Sequence, residues 1–205
     1  MSPSPTEKSE LRRRLRQARS RQPENRCRRA QVQANRLLKR FIRRGKRIAV
    51  YWPVGSEMRL DGFIRAARQR GAKLYLPYIR PRTLRLWFTP YPDDGTRAER
   101  PRGRGSLKIP QFAGRKIRAG HLHAMLLPLV GIDRRGYRLG QGGGYYDASL
   151  GAARRGLQPK KIGIGFACQL IDSLPAEAHD IRADYFVCER GITRFRSAGA
   201  QKKAA

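Results

Sequence analysis

Ala124-Met-Leu-Leu-Pro-Leu-Val-Gly-Ile132, then Gly140-Gln-Gly-Gly-Gly-Tyr-Tyr-Asp147, then Ala148-Ser-Leu-Gly-Ala-Ala153 is the stretch that decides the fold. The apolar run reads as a buried strand, the glycines as a turn, and the segment from Asp147 as a helix, with Asp147 able to cap its start. Strand, glycine turn and helix in this order form the place where α/β proteins hold phosphates. Four glycines in five positions let the backbone reach φ > 0 and turn several N–H groups toward one anion, an approach that side chains would block. The loop is not a Walker A, because Tyr145 and Tyr146 follow Gly144 where Lys and Ser or Thr belong. It is not G-x-G-x-x-G either, because Tyr145 takes the place of the third glycine. The glycines alone also describe a surface turn, so the flanking segments must decide.

Upstream, Leu11, Leu15 and Ala18 recur at helical spacing within Glu7 to Arg19, which predicts a basic amphipathic helix. Cys27, Ala30, Ala34, Leu37, Leu38 and Phe41 predict a second helix from Pro23 to Phe41, with Gly45 soon after. Arg47-Ile-Ala-Val-Tyr-Trp52 reads as a strand stopped by Pro53, Leu60 to Arg70 as a helix closed by Gly71, and Lys73 to Ile79 as a strand. Together they predict a parallel β-α-β unit. Leu84 to Thr89 alternates weakly as a third strand, and Pro90 to Gly105 reads as an exposed loop. Lys161 to Ala167 and Tyr185 to Cys188 are short buried strands. The prediction is α/β: a single three-layer domain with a mostly parallel central sheet flanked by helices, opened by two N-terminal helices. Residues 1–6 are expected to be disordered, 7–189 to form the domain, and 190–205 to be a frayed basic tail.

The 205 residues carry 46 Lys and Arg against 15 Asp and Glu, a formal charge of +31, and 36 of the cations are Arg. Such a field attracts nucleotides, nucleic acid or poly-acidic metabolites. The arginines are spread along the chain, however, and no zinc finger, K homology loop or ribonucleoprotein motif is present, so nucleic-acid binding rests on charge alone. Cys27, Cys168 and Cys188 are odd in number and scattered, which points to free thiols in a reducing compartment. No apolar run reaches membrane-spanning length, and no signal-peptide pattern opens the chain; the expectation is a cytoplasmic protein. His121 and His123 alternate, without a Cys or acidic partner at zinc-ligand spacing.

Lys8-Ser-Glu-Leu-Arg12, Trp52-Pro-Val-Gly-Ser-Glu57, Leu126-Leu-Pro-Leu-Val-Gly-Ile-Asp133, Gly136-Tyr-Arg-Leu-Gly-Gln-Gly-Gly-Gly-Tyr-Tyr-Asp147 and Ile162-Gly-Ile-Gly-Phe-Ala-Cys-Gln169, with His179-Asp180, follow one another in this order. In this the chain resembles the 5-formyltetrahydrofolate cyclo-ligase family, also called 5,10-methenyltetrahydrofolate synthetases, from about residue 7 to residue 189. The resemblance implies a ligase that cyclises 5-formyltetrahydrofolate to 5,10-methenyltetrahydrofolate with ATP, releasing ADP and phosphate, and that needs Mg²⁺. It implies a monomer whose partners are ATP and a folate, with or without a polyglutamate tail.

By the same resemblance, ATP is bound by Lys8, Ser9, Glu10, Leu11 and Arg12 on the first helix and by Arg138, Leu139, Gly140, Gln141, Gly142, Gly143, Gly144, Tyr145 and Tyr146. The folate is bound by Trp52, Glu57, Gln141, Gly142, Gly143, Gly144 and Tyr145. Mg²⁺ is bound by Asp147 and Asp180, and Lys8, Arg12 and Arg138 take the catalytic roles. The residue types suit that chemistry: a formamide oxygen leaves easily only as a phosphate ester, and a site that transfers phosphoryl groups needs cations, a backbone cradle and a carboxylate for the metal. Lys8 and Arg12, at i and i+4, share a helical face; a solvated basic helix gives the same pattern. Glu57 is either a pterin acceptor or a carboxylate at a helix start, and Trp52 either a ring platform or core. Asp133 is read as structural. Three positions depart from the family: Gln141 stands where a basic or aromatic residue is frequent, Gly143 where Lys occurs, and Phe112 in Lys108-Ile-Pro-Gln-Phe112 where a second Pro is usual. The alternative is a basic nucleic-acid-binding protein that keeps the fold without the reaction.

Overall fold

A computed structural model of the 205-residue chain describes residues 5–93, 95–99, 109–153, 158–177 and 180–195. Lys108 and His179 fall outside these, as do the ends of the expected N-terminal segment and basic tail. In chain order the elements are α1 (Pro5–Ser20), α2 (Glu24–Leu38), β1 (Arg47–Ala49), α3 (Asp61–Gln69), β2 (Lys73–Tyr78), β3 (Trp87–Pro90), β4 (Ala124–Pro128), β5 (Gly131–Asp133), β6 (Arg138–Leu139), α4 (Tyr145–Gly151), β7 (Lys160–Ile164), β8 (Leu170–Ile171), β9 (Tyr185–Cys188) and β10 (Gly191–Arg194). The main sheet runs β10-β9-β7-β4-β1-β2-β3. Its inner strands β9, β7, β4, β1 and β2 are parallel, and β3 and β10 close the two edges antiparallel. This is the α/β, mostly parallel arrangement expected from the sequence.

Strand β4 lies at the centre, and Ala124 to Leu127 are all buried. Such continuous burial is what a parallel strand covered on both faces requires. On one face α2 presents Ala30, Ala34 and Leu38 to Phe63, Ala66 and Ala67 of α3 and to Ile48, Leu126 and Ile162 of the sheet. Helix α3 lacks a cap of its own, since Leu60 makes no side-chain cap bond. Asn35 of α2 supplies it: its Oδ1 accepts the Phe63 N–H at 2.8 Å, and its Nδ2 donates to Arg59 C=O at 2.9 Å. Gly62 makes room, because a Cβ there would stand 3.3 Å from the Asn35 Cβ.

Three expectations change. The apolar run read as one strand is two: β4 ends at Pro128, the chain turns away, and Gly131–Asp133 joins a separate small sheet in the order β6-β5-β8. Leu129 and Val130 at the turn are buried in two different apolar clusters, so hydrophobicity alone gave no sign of the break. The frayed tail was placed from residue 190, but Gly191–Arg194 pairs with β9 from Cys188 back to Tyr185, and Phe195 is buried against Phe186. Polar side chains on an edge strand hide such pairing from a hydrophobicity reading. At the other end α1 already includes Pro5. Of the three free cysteines only Cys188 is fully buried, and burial pushes all three thiols up.

The small sheet matters because it carries the glycine loop. Asp133, fully buried, accepts N–H bonds from Arg135 (2.9 Å), Tyr137 (2.9 Å) and Leu174 (3.1 Å), and its carboxylate also takes the Arg135 guanidinium. One carboxylate thus ties the β5–β6 turn to the segment that leads toward Asp180, in keeping with its structural reading.

Candidate active site

The carboxyl ends of β1, β2 and β4 open into one cavity of about 1510 Å³. Its walls are α1, the segment after β1, the glycine loop with the start of α4, and Leu174, Pro175, Glu177 and Asp180. Open parallel sheets bind ligands at this end. A drug-sized ligand fills roughly 300–1,000 Å³, so the cavity accommodates two reactants together.

Helix α1 docks through Leu15, which packs with Val130, Leu139 and Leu174, while Gly131 leaves the space that the Leu15 side chain occupies. Its other stripe faces the cavity. Lys8 Nζ pairs with Glu177 at 2.6 Å and Asp180 at 3.2 Å. Burial by itself lowers the Lys8 pKa, but hydrogen bonds to these two carboxylates outweigh it and hold the ammonium above its ordinary value. Arg12 Nε donates to Gly140 C=O at 2.9 Å, and Arg16 Nη2 to the Gln141 side chain at 2.6 Å. Arg19, nearly buried, donates to Ser56 Oγ at 2.9 Å; burial lowers its pKa, and Glu57 opposes that.

In the loop, Gly142 (φ +102°) and Gly144 (φ +65°) adopt conformations that side chains rarely take. A Cβ at Gly140 would stand 2.9 Å from Arg138 Nη1, so the close approach of Arg138 depends on that glycine. The Arg138 side chain is 4% exposed and donates to Asp147 Oδ2 at 2.9 Å. It lies 5.3 Å over the Tyr146 ring, and its Nε is buried without a partner. Tyr146 is partly buried, and the loss of solvation pushes its hydroxyl far above the ordinary range. Helix α4 starts at Tyr145 with Gly144 as its cap residue, which corrects the reading of Asp147 as the cap. Asp147 lies within the first turn, and its Oδ1 accepts the Ile181 N–H at 3.3 Å, bringing the Asp180 segment alongside.

Beside the glycine loop, Glu57 is held at both oxygens: Oε2 accepts the Val54 N–H at 3.1 Å, and Oε1 accepts Gln141 Nε2 at 3.0 Å. Trp52 is 37% exposed and leans on Phe112, ring centroids 5.8 Å apart, so it is a cavity wall rather than core. Lys8, Arg12, Trp52, Glu57, Arg138 to Asp147 and Asp180 therefore line one space, whereas Ser9, Glu10 and Leu11 lie outside the lining. Sequence reasoning missed Arg16, Arg19 and Glu177. The two arginines continue the Lys8–Arg12 stripe at helical spacing, so the signal was present. Glu177 carried none.

Lys8, Arg12, Arg13, Arg16, Arg19 and Arg138 on the lining outnumber Glu57, Asp147, Glu177 and Asp180, so the space favours a polyanion. The carboxylates gather where a cation shared with that polyanion would sit. Asp147 and Asp180 suit Mg²⁺, which takes one or two carboxylates and completes its shell with phosphate oxygens and water. Among the described residues no group of three or more His, Cys, Asp or Glu forms a protein-only metal cage.

The profile of the 5-formyltetrahydrofolate cyclo-ligase family matches residues 4–189. A 5-formyltetrahydrofolate cyclo-ligase of Mycolicibacterium smegmatis is 32% identical over 199 residues, covering 94% of this chain and all of that protein. The 5,10-methenyltetrahydrofolate synthetase structure from Mycoplasma pneumoniae superposes with a TM-score of 0.71 at 25% identity, covering 89% of this chain and 98% of the other. The Aquifex aeolicus synthetase structure gives 0.71 at 24% identity over 97% and 99%, and shows the same fold. With a glycine cradle, a cationic helix and the Glu57 carboxylate meeting in one cavity, and with a match that runs through all of them, the chain belongs to the 5-formyltetrahydrofolate cyclo-ligase family.

Proposed function

We propose that this cavity carries out ATP-dependent cyclisation of 5-formyltetrahydrofolate to 5,10-methenyltetrahydrofolate. The observation that carries the reading is the gathering of Arg12, Arg138 and the glycine loop with Glu57 and Trp52 around one space large enough for both substrates. The formyl oxygen attacks the γ-phosphorus and the bond to ADP breaks. N10 then adds to the formyl carbon, the carbon–oxygen bond breaks with loss of phosphate, and N10 gives up its proton. The protein's part is alignment of oxygen, phosphorus and N10, and stabilisation of the transferred charge.

Lys8, Arg12 and Arg138 stabilise the phosphate charge. Arg12 and Arg138 offer planar forks, and Lys8 a point charge. Gly140 to Gly144 let the triphosphate approach the backbone. Asp147 and Asp180 would hold Mg²⁺, whose contribution when bound is to neutralise phosphate charge. Arg138 and Lys8, which pair with these carboxylates here, are placed to transfer their hydrogen bonds to phosphate oxygens. Trp52 supports the pterin ring, and Glu57 accepts its N–H groups.

Glu57→Gln removes the charge and keeps the shape. A hydrogen bond to a charged group contributes about 1.5–3 kcal/mol, so KM for the folate should rise by roughly 10- to 100-fold with a smaller change in kcat. Steady-state kinetics with the folate varied at saturating ATP checks this. The reaction itself is tested by ADP release: it should require both ATP and 5-formyltetrahydrofolate and match product mole for mole. ADP released equally well from ATP alone would contradict the reading.

A further inference from the structure

At the edge of the sheet opposite the cavity, residues at or just before the starts of four neighbouring strands form a row of basic side chains. In the order β2, β1, β4, β7 they are Lys73, Lys46 with Arg47, His123 and Lys160. Backbone bonds link them in sequence: Lys73 N–H to Lys46 C=O at 2.9 Å, His123 N–H to Arg47 C=O at 2.8 Å, and Lys160 N–H to His123 C=O at 3.0 Å. Neighbouring strands lie about 4.8 Å apart, so the side chains repeat at close, regular intervals. Lys46, Lys73 and Lys160 are exposed. Arg43, Arg44 and Arg70, also exposed, extend the row at the β1–β2 side, where Gly45 N–H bonds Gly71 C=O at 2.8 Å.

Among the described residues, none of the lysines and arginines of the row pairs with a carboxylate, although Arg28, Arg59 and Arg134 elsewhere do. Asp184, at the start of the next strand out, is already paired with Lys161 at 3.1 Å. His123 shows the crowding: burial first, then Lys46 and Arg47, lower its pKa, and its Nδ1 accepts the Arg47 N–H at 3.2 Å. Among the described residues the exposed large apolar side chains are Val32, Trp52 and Leu84. None stands in the row, so it offers no anchor for a lipid surface or a hydrophobic peptide motif. The uncompensated charges of Lys73, Lys46, Arg47 and Lys160, with the arginines beside them, suit a chain of phosphates held by charge and hydrogen bonds alone.

We propose that the amino-terminal edge of the parallel sheet is a second binding surface, which takes the phosphate backbone of a nucleic acid without reading its sequence. Because the cavity opens at the carboxyl ends of the same strands, both sites are occupied at once. The test is fluorescence anisotropy of a labelled oligouridine with the full chain across roughly 50–200 mM salt, the range over which binding to phosphates weakens steeply. The combined variant Lys46→Glu, Lys73→Glu, Lys160→Glu should weaken binding by about tenfold or more and flatten the salt slope by roughly one unit for each phosphate no longer neutralised. Cyclisation kinetics should stay unchanged. The variant Arg26→Glu, Arg28→Glu, Arg29→Glu makes the same change in net charge on α2 and should retain most of the binding. The single changes Lys73→Glu and Lys160→Glu, each expected to weaken binding by about threefold, serve if the combined variant does not fold. Three results would overturn the proposal: no binding by the unaltered chain, equal losses in the two triple variants, or phosphatidylserine vesicles binding the row as strongly as the RNA.

Discussion

Lys8→Ala should lower kcat/KM for MgATP by about 10²- to 10³-fold, the effect of removing one preorganised donor from developing charge. Lys8 is 13% exposed at its side chain and sits 2.6 Å from Glu177 and 3.2 Å from Asp180, so two roles compete. In one it only neutralises those carboxylates. In the other it passes to the phosphates when ATP arrives. A neutraliser would be dispensable once Mg²⁺ and ATP supply their own charge, and its loss would fade at saturating substrate. A phosphate ligand would leave a deficit in kcat that saturation does not repair. The second is expected. The ion pair is partly solvated, so thermal stability should change by no more than about 1 kcal/mol. Steady-state kinetics and a melting curve on the same preparation separate the cases, and full kcat in the variant would remove Lys8 from the phosphate site.

Asp133→Ala should be the more destructive change to the fold. The carboxylate is fully buried and serves three backbone N–H groups and the Arg135 guanidinium. Its removal leaves those donors without a partner, at about 1–3 kcal/mol for each that water does not reach. A total near 3–6 kcal/mol lowers the melting temperature by about 6–24 °C in a domain of this size. Asp133→Asn keeps one acceptor and should fall between. Because β5, the turn into β6 and Leu174 meet at this residue, activity should be lost with the fold. A melting temperature within a degree of the unaltered chain would show that the turn does not depend on this carboxylate.

The parts of the fold written in periodic residues were legible in the sequence. Leu11 and Leu15 gave α1, Ala30, Ala34 and Leu38 gave α2, and the β1-α3-β2 unit followed from its apolar runs and Gly71. The division of 124–132 between two sheets was not legible, because Leu129 and Val130 are apolar in either arrangement. Strand β10 was hidden by Thr193 and Arg194, which an edge strand tolerates. In the site, the glycine loop was found at once as a place for an anion, but its partners came from the family resemblance. Spacing could have added Arg16 and Arg19, each on the stripe begun by Lys8 and Arg12. Glu177 and the Asn35 cap of α3 act across long sequence separations, and no local pattern encodes them. Gln141, a departure from the family, takes a structural place of its own by linking Arg16 to Glu57.

One measurement tests the function most directly: purified chain, 5-formyltetrahydrofolate and MgATP, followed by absorbance of the methenyl product. The expected result is catalytic appearance of the methenyl chromophore, matched by ADP, abolished without ATP and strongly reduced in Lys8→Ala. A folded chain that forms no chromophore even at enzyme concentrations equal to the folate would contradict cyclisation at this site.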